Sequence, residues 1–114
     1  MGTWFSRVGG AATASIASGS KVTAVTLGTT TAAILPVNGA RQSLVFHAPG
    51  NAGAFVAPLT NAVGGPLTPS IANPAGTFEV VAGGTLIMGG ECQCGWQGFS
   101  SSAGTPLTIM ESNI

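Results

Sequence analysis

The chain predicts an all-β fold: a single small β-sandwich or jelly-roll-like barrel of about eight short strands, with an extended N-terminal arm. Three observations carry that expectation. From Lys21 onward, apolar and polar residues alternate in short runs, the spacing that sends strand side chains to opposite faces. Turn chemistry separates those runs, with 18 Gly and 7 Pro in 114 residues. No stretch holds a helical apolar repeat for more than a turn or two.

Residues 1–20 read as a flexible arm, because Gly, Ala, Ser and Thr bury too little area to offset their ordering entropy. Its start nevertheless carries Trp4 and Phe5, with Arg7 beside them. Burying each aromatic is worth roughly 2–3 kcal/mol. Either they fold back on their own domain or they dock on a neighbour. Docking makes Trp4, Phe5 and Arg7 the expected partner-binding residues. Residues 21–114 are expected to form the β-domain.

Strand signals then follow in order. Lys21–Leu27 mixes β-branched residues, with Val25 and Leu27 on one face, and Gly28-Thr29-Thr30 turns the chain. Thr31–Leu35 continues as a second strand up to Pro36. Asn38-Gly39 opens the most sharply patterned stretch, Asn38–His47, in which Leu44 and Phe46 share one face and Ser43, Val45 and His47 the other. Pro49-Gly50-Asn51 stops it. Gly53–Ala57 is the next strand, ended by Pro58. The region 58–74 reads as a proline-rich loop with a weak strand signal over Leu67–Ile71. Gly76–Val81 alternates again, with Phe78 and Val80 on one face. Thr85–Met88 lies between Gly83-Gly84 and Gly89-Gly90 turns. Glu91–Phe99 places Cys92, Cys94 and Trp96 on one face and Gln93, Gly95 and Gln97 on the other. Pro106–Glu111 closes the series with Leu107 and Ile109 inward.

Charge is the informative part of the composition. An ordinary domain of this length carries roughly 28 charged residues, at about 25%. This chain has six, Arg7, Lys21, Arg41, Glu79, Glu91 and Glu111, and a formal net charge of zero. A neutral chain with so few charges has little to keep its copies apart, so a homo-oligomer is expected, with a trimer as the specific guess. The same number points to a surface covered by partners rather than one solvated only by Thr, Ser, Asn and Gln. No nucleic-acid partner is expected, since three scattered cations cannot track a phosphate backbone. No membrane partner is expected, since no apolar run approaches a transmembrane span. The first residues lack a Leu-rich signal segment, and Met1–Ser6 fits the myristoylation pattern only formally.

Chemistry-bearing residues are sparse. Cys92 and Cys94 in one strand lie at the upper edge of disulfide reach and read as reduced, packed thiols of a chain folded in a reducing cytoplasm. With His47 they fall short of a four-ligand zinc site within one chain. His47 has no Asp to orient it and no nucleophile-elbow motif near it. Arg41, after the Asn38-Gly39 turn, reads as a structural donor to loop carbonyls. Trp96 reads as core with one hydrogen-bond partner for its N–H. Gly83-Gly84 sits between strands, not before a helix, so it does not read as a phosphate cradle. No catalytic residue, cofactor or metal is expected.

The segments Lys21–Leu27, Asn38–Phe46 with its Asn-x-x-Arg turn, the Gly/Pro-rich centre, and Gly104-Thr-Pro-Leu-Thr-Ile-Met-Glu111 together resemble small virion proteins of tailed bacteriophages. The resemblance covers roughly residues 20–111, and the 58–74 loop and the arm depart from it. It implies a non-enzymatic structural component, a capsid decoration or cement protein that binds the major capsid protein and other virion proteins and stabilises the head. The alternative it implies is a head-fibre or tail component acting as a host-receptor (glycan) binding module. It also implies residence on the capsid surface of the virion after synthesis in the host cytoplasm.

Overall fold

The computed structural model describes residues 19–60, 65–73, 76–89 and 93–113. Among them the fold is all-β, with eight strands: β1 (Gly19–Leu27), β2 (Ala32–Leu35), β3 (Arg41–His47), β4 (Ala54–Pro58), β5 (Phe78–Val80), β6 (Thr85–Met88), β7 (Trp96–Phe99) and β8 (Thr105–Asn113). They form two four-stranded antiparallel sheets, ordered β1-β8-β3-β6 and β2-β7-β4-β5.

That order has a simple origin. The pairs β4–β5, β3–β6, β2–β7 and β1–β8 make one long ribbon folded in half between β4 and β5. The ribbon then rolls, so that β8 also pairs β3 and β7 also pairs β4. Rolling leaves two packed sheets, each taking alternate segments of the ribbon. This is the jelly roll.

Apolar residues of the inner faces fill the space between the sheets. Leu27, Leu44, Phe46, Leu107 and Ile109 come from the first sheet, and Leu35, Ala54, Val56, Val80 and Trp96 from the second. Phe46 meets Trp96 edge to face, with centroids 5.3 Å apart at 60°, which joins the two sheets at the centre. Such a pair contributes about 0.5–1.5 kcal/mol beyond the area it buries. Turns follow their residues. Asn38 sits at the first position of a four-residue turn, its carbonyl accepting from Arg41 N at 3.1 Å and its Oδ1 from Ala40 N at 3.0 Å. Gly83 and Gly104 hold φ of 76° and 81°, a region that a side chain strains, where the chain turns into β6 and β8.

Two expectations are corrected. The Leu67–Ile71 segment contains no strand, and only the isolated bridge Thr60–Pro66 lies near it, because proline at 66 and 69 removes the donors a ladder needs. The strand expected over Glu91–Phe99 begins only at Trp96; Gln93–Gly95 approach it as irregular chain, and Glu91 and Cys92 lie outside the described residues. Cys94 is therefore not a strand residue. It is a free, half-buried thiol packed against the core. Gln97 lies opposite Trp96 as expected, and it is buried, as is all of β7.

Candidate interaction face

Among the described residues the charged ones are removed from one large surface, and the geometry shows how. Arg41 has the parity of Ser43, Val45 and His47 and would point outward with them. A bulge between Arg41 and Ser43 in the pairing with β8 reverses it. Its side chain turns inward and is fully buried. Glu111, two residues on from Leu107 and Ile109 in the inward series, meets it there. Arg41 Nη2 donates to Glu111 Oε2 at 2.7 Å and Nε to the same oxygen at 3.1 Å. Nη1 donates to Cys94 O at 2.9 Å and Nη2 also to Pro36 O at 3.0 Å. One guanidinium thus ties β3 and β8 of the first sheet to the segments leaving β2 and entering β7 of the second. Gln93 and Asn38 close the same end: Gln93 Nε2 donates to Arg41 O, Asn38 N to Gln93 O, and Asn38 Nδ2 to Asn113 Oδ1. The expectation that Arg41 donates to loop carbonyls holds, and the ion pair is added to it. Without its partner, either buried charge would be strongly unfavourable.

With Arg41 and Glu111 inside, the outer face of the first sheet carries Ser20, Val22, Ala24 and Thr26 from β1, and Pro106, Thr108, Met110 and Ser112 from β8. It continues with Ser43, Val45 and His47 from β3 and Thr85 and Ile87 from β6. None of these is Lys, Arg, Asp or Glu. Lys21 belongs to the opposite parity of β1, and Glu79 is on β5 in the other sheet.

Register aligns the outward residues into rows. Val22 lies opposite Met110, Met110 opposite Val45, and Val45 opposite Ile87, so one apolar row crosses all four strands. Directly paired residues of this kind touch, with Cβ atoms about 5 Å apart. Val22 is 65% exposed, Ile87 71% and Met110 39%, and Val45 is half-buried between its neighbours. Of the other exposed large apolar residues, Val37, Ile71 and Val81 lie in loops and Phe78 on β5 of the other sheet, so they add nothing to this row. The next row is Ala24, Thr108, His47 and Thr85, and a third is Ser20, Ser112 and Ser43.

His47 belongs to this face. Its Nδ1 lies 2.9 Å from Gly84 O and 3.1 Å from Thr85 Oγ1. A carbonyl oxygen only accepts, so Nδ1 carries the proton and Nε2 is the acceptor when the ring is neutral. Glu111 is turned into the core, on Arg41. Among the described residues, with Glu79 on β5 of the other sheet, His47 and an acid are therefore not brought together.

The outer face of the second sheet is built differently. Ala57, Gln97 and Phe99 point away from the core cluster and yet are buried. The segment after β4 folds over them. Gln97 Nε2 donates to Pro58 O at 3.0 Å and to Leu67 O at 2.7 Å, Leu67 N donates to Leu59 O, and Thr31 Oγ1 to Pro69 O. Phe55 and Phe99 stack on each other at 5.2 Å. In this covering segment Pro66, Leu67, Thr68, Pro69, Asn73 and Gly76 line a shallow cleft of about 200 Å³.

Trp4, Phe5 and Arg7, expected to bind a partner, lie outside the described residues. Among the described residues no three His, Cys, Asp or Glu side chains stand together as metal ligands. The residues that sequence reasoning missed are Val22, Ile87 and Met110. Their signal was an apolar side chain at an outward strand position, but only register shows that they meet. No family model, no curated protein and no solved structure matches the chain.

Proposed function

We propose that this chain is a non-enzymatic structural protein of a bacteriophage particle, decorating or cementing the head by binding the major capsid protein. The observation that carries the reading is the chargeless outer face of the first sheet, crossed by an exposed apolar row. Such a face invites association on a free protein and suits one that works in many copies against a lattice. Jelly rolls serve viral capsid domains, lectins and cupins alike, so the fold by itself chooses none of these. The class of partner comes from the resemblance of Lys21–Leu27, Asn38–Phe46 and Gly104–Glu111 to virion proteins of tailed bacteriophages. In this reading Trp4 and Phe5 are the anchor, since interface anchors are enriched in aromatics, and Arg7 speeds docking more than it tightens it.

Three measurements test it. Mass spectrometry of purified particles should find the chain in copy numbers comparable to capsid subunits. Adding the protein to particles that lack it should raise the temperature at which they break open, because a ligand of the assembled state stabilises that state. Trp4→Ser combined with Phe5→Ser should weaken attachment by about tenfold or more, as expected for losing a few kcal/mol of buried aromatic area. Particles that never carry the chain, and whose heat stability it leaves unchanged, sink the reading.

A second reading, a glycan-binding module of a head fibre or tail, draws on the cleft beside Thr68 and Asn73. Its volume of about 200 Å³ places this reading second, because small-molecule sites run to roughly 300–1,000 Å³. Free protein that blocks phage adsorption, and stops doing so on Asn73→Ala, would reverse the order.

A further inference from the structure

We infer that the outer face of the β1-β8-β3-β6 sheet is a self-association surface, on which a second copy of this chain packs sheet to sheet about a two-fold axis running along the Val22–Met110–Val45–Ile87 row. The inference rests on the face itself and not on the particle reading.

Three features select a second copy as the occupant. The first is charge. In an isologous pair every residue near the axis meets its own kind, so a surface bearing fixed charges opposes like charges. This face has none, and that makes it compatible with itself. A partner recognised by ion pairing would find nothing to pair with.

The second is shape. The row crosses the strands rather than running along one, and an axis along the row brings each apolar row onto its copy. The Ala24-Thr108-His47-Thr85 row then meets the Ser20-Ser112-Ser43 row across the axis, placing small hydroxyl residues where two sheets must approach to about 10 Å. With Nδ1 on Gly84 O, the neutral His47 ring keeps Nε2 as an acceptor that those serine hydroxyls can meet in the pair. Composition alone suggested a trimer; a flat face that is complementary to itself fits a pair.

The third is area. With strands about 4.8 Å apart and about 3.3 Å per residue, four strands of about seven residues present roughly 450 Å². Two such faces remove roughly 900 Å² from water before side-chain relief is added, close to the roughly 1,000–1,200 Å² at which specific interfaces begin. The pair is therefore expected to be reversible, forming in the micromolar range rather than permanently.

The test is sedimentation of the full chain over a concentration series. A monomer–dimer equilibrium is expected. Ile87→Lys, which sets two cations against each other near the axis, should raise the dimer dissociation constant by at least about tenfold. Val37→Lys is the control, since Val37 is 75% exposed but lies off the face, and it should leave the equilibrium unchanged. Circular dichroism of both variants reports that they remain folded. A chain that stays monomeric throughout overturns the inference, as does a dimer or trimer indifferent to Ile87→Lys. One rival occupant has its own signature. If residues 1–18 cover the face, the wild type stays monomeric while Trp4→Ser with Phe5→Ser exposes the row and dimerises.

Discussion

The two sheets of this jelly roll have outer faces of opposite design. The second sheet's outer face is covered from within over β4 and β7: Leu59 and residues 65–73 lie beside it, and Gln97 holds the segment through the backbone carbonyls of Pro58 and Leu67. The first sheet's outer face has no such cover among the described residues and carries an apolar row in the open. The same alternation of residues therefore yields buried side chains on one sheet and exposed ones on the other. What differs is the length of connection available. Between β4 and β5 the chain has 19 residues to spare, from 59 to 77, whereas β5 and β6 are joined by four residues, 81–84. A face covered by its own chain contributes to folding. A face left bare can only gain by meeting something else.

The largest effect should come from breaking the tie between the sheets. Arg41→Met leaves the Glu111 carboxylate buried, 4% exposed, with no guanidinium beside it. The expected cost is about 3–5 kcal/mol, read as the shift of the urea midpoint at unchanged slope. Adding Glu111→Leu should recover most of it, since replacing a whole buried ion pair by apolar groups is often neutral. A double variant as unstable as the single one would mean that the lost donors to Cys94 O and Pro36 O matter more than the stranded charge.

An intermediate effect is expected where the cover is pinned. Gln97→Ala removes the buried donor that serves the part-buried Pro58 O and Leu67 O. Leaving buried acceptors unmet costs about 1–3 kcal/mol. Because the amide holds a segment rather than the core, the change should also appear locally. Limited proteolysis should cut within residues 59–73 well before the strands are attacked. Equal loss of protection throughout the chain would show that the segment is an integral layer and not a cover.

These features were unevenly legible in the sequence. The inward series Leu44–Phe46 and Leu107–Ile109 stood out because alternation is local and needs no partner. The same series continues to Glu111, and its inward position was available by counting, but a carboxylate at a core position reads as a rare surface charge until its cation is found. That cation was hidden by a bulge, which reversed the parity of Arg41. Gln97 was correctly placed opposite Trp96; its burial was not legible, because it depends on where a proline-rich segment with no pattern of its own comes to rest. The apolar row is the extreme case. Val22, Val45, Ile87 and Met110 are separated by 23 to 88 positions when traced in chain order from Val22, and only the rolled ribbon brings them side by side. The expected strand over Glu91–Phe99 failed at Gln93–Gly95 for a related reason: Gln93 and the Cys94 carbonyl serve the Arg41 end cluster instead of a ladder.

The smallest effect on folding should come from the bare face, and it separates the two faces most sharply. At high dilution, Ile87→Lys should change the folding free energy by no more than about 0.5 kcal/mol, the usual range for surface substitutions. Ile87 is 71% exposed on β6, an edge strand, where lysine is well tolerated. The matching change on the covered face, Ala57→Lys, must drive an ammonium into a site 1% exposed or push the covering segment off, and should destabilise the chain by several kcal/mol. Concentration then distinguishes a bare face from a merely tolerant one. If the first sheet pairs with its copy, the wild-type melting temperature rises with protein concentration, because association draws only on the folded state. The Ile87→Lys melting temperature should stay flat across the same series. A variant that already melts many degrees lower at high dilution would mean that Ile87 packs within its own chain, and that the first sheet is covered after all.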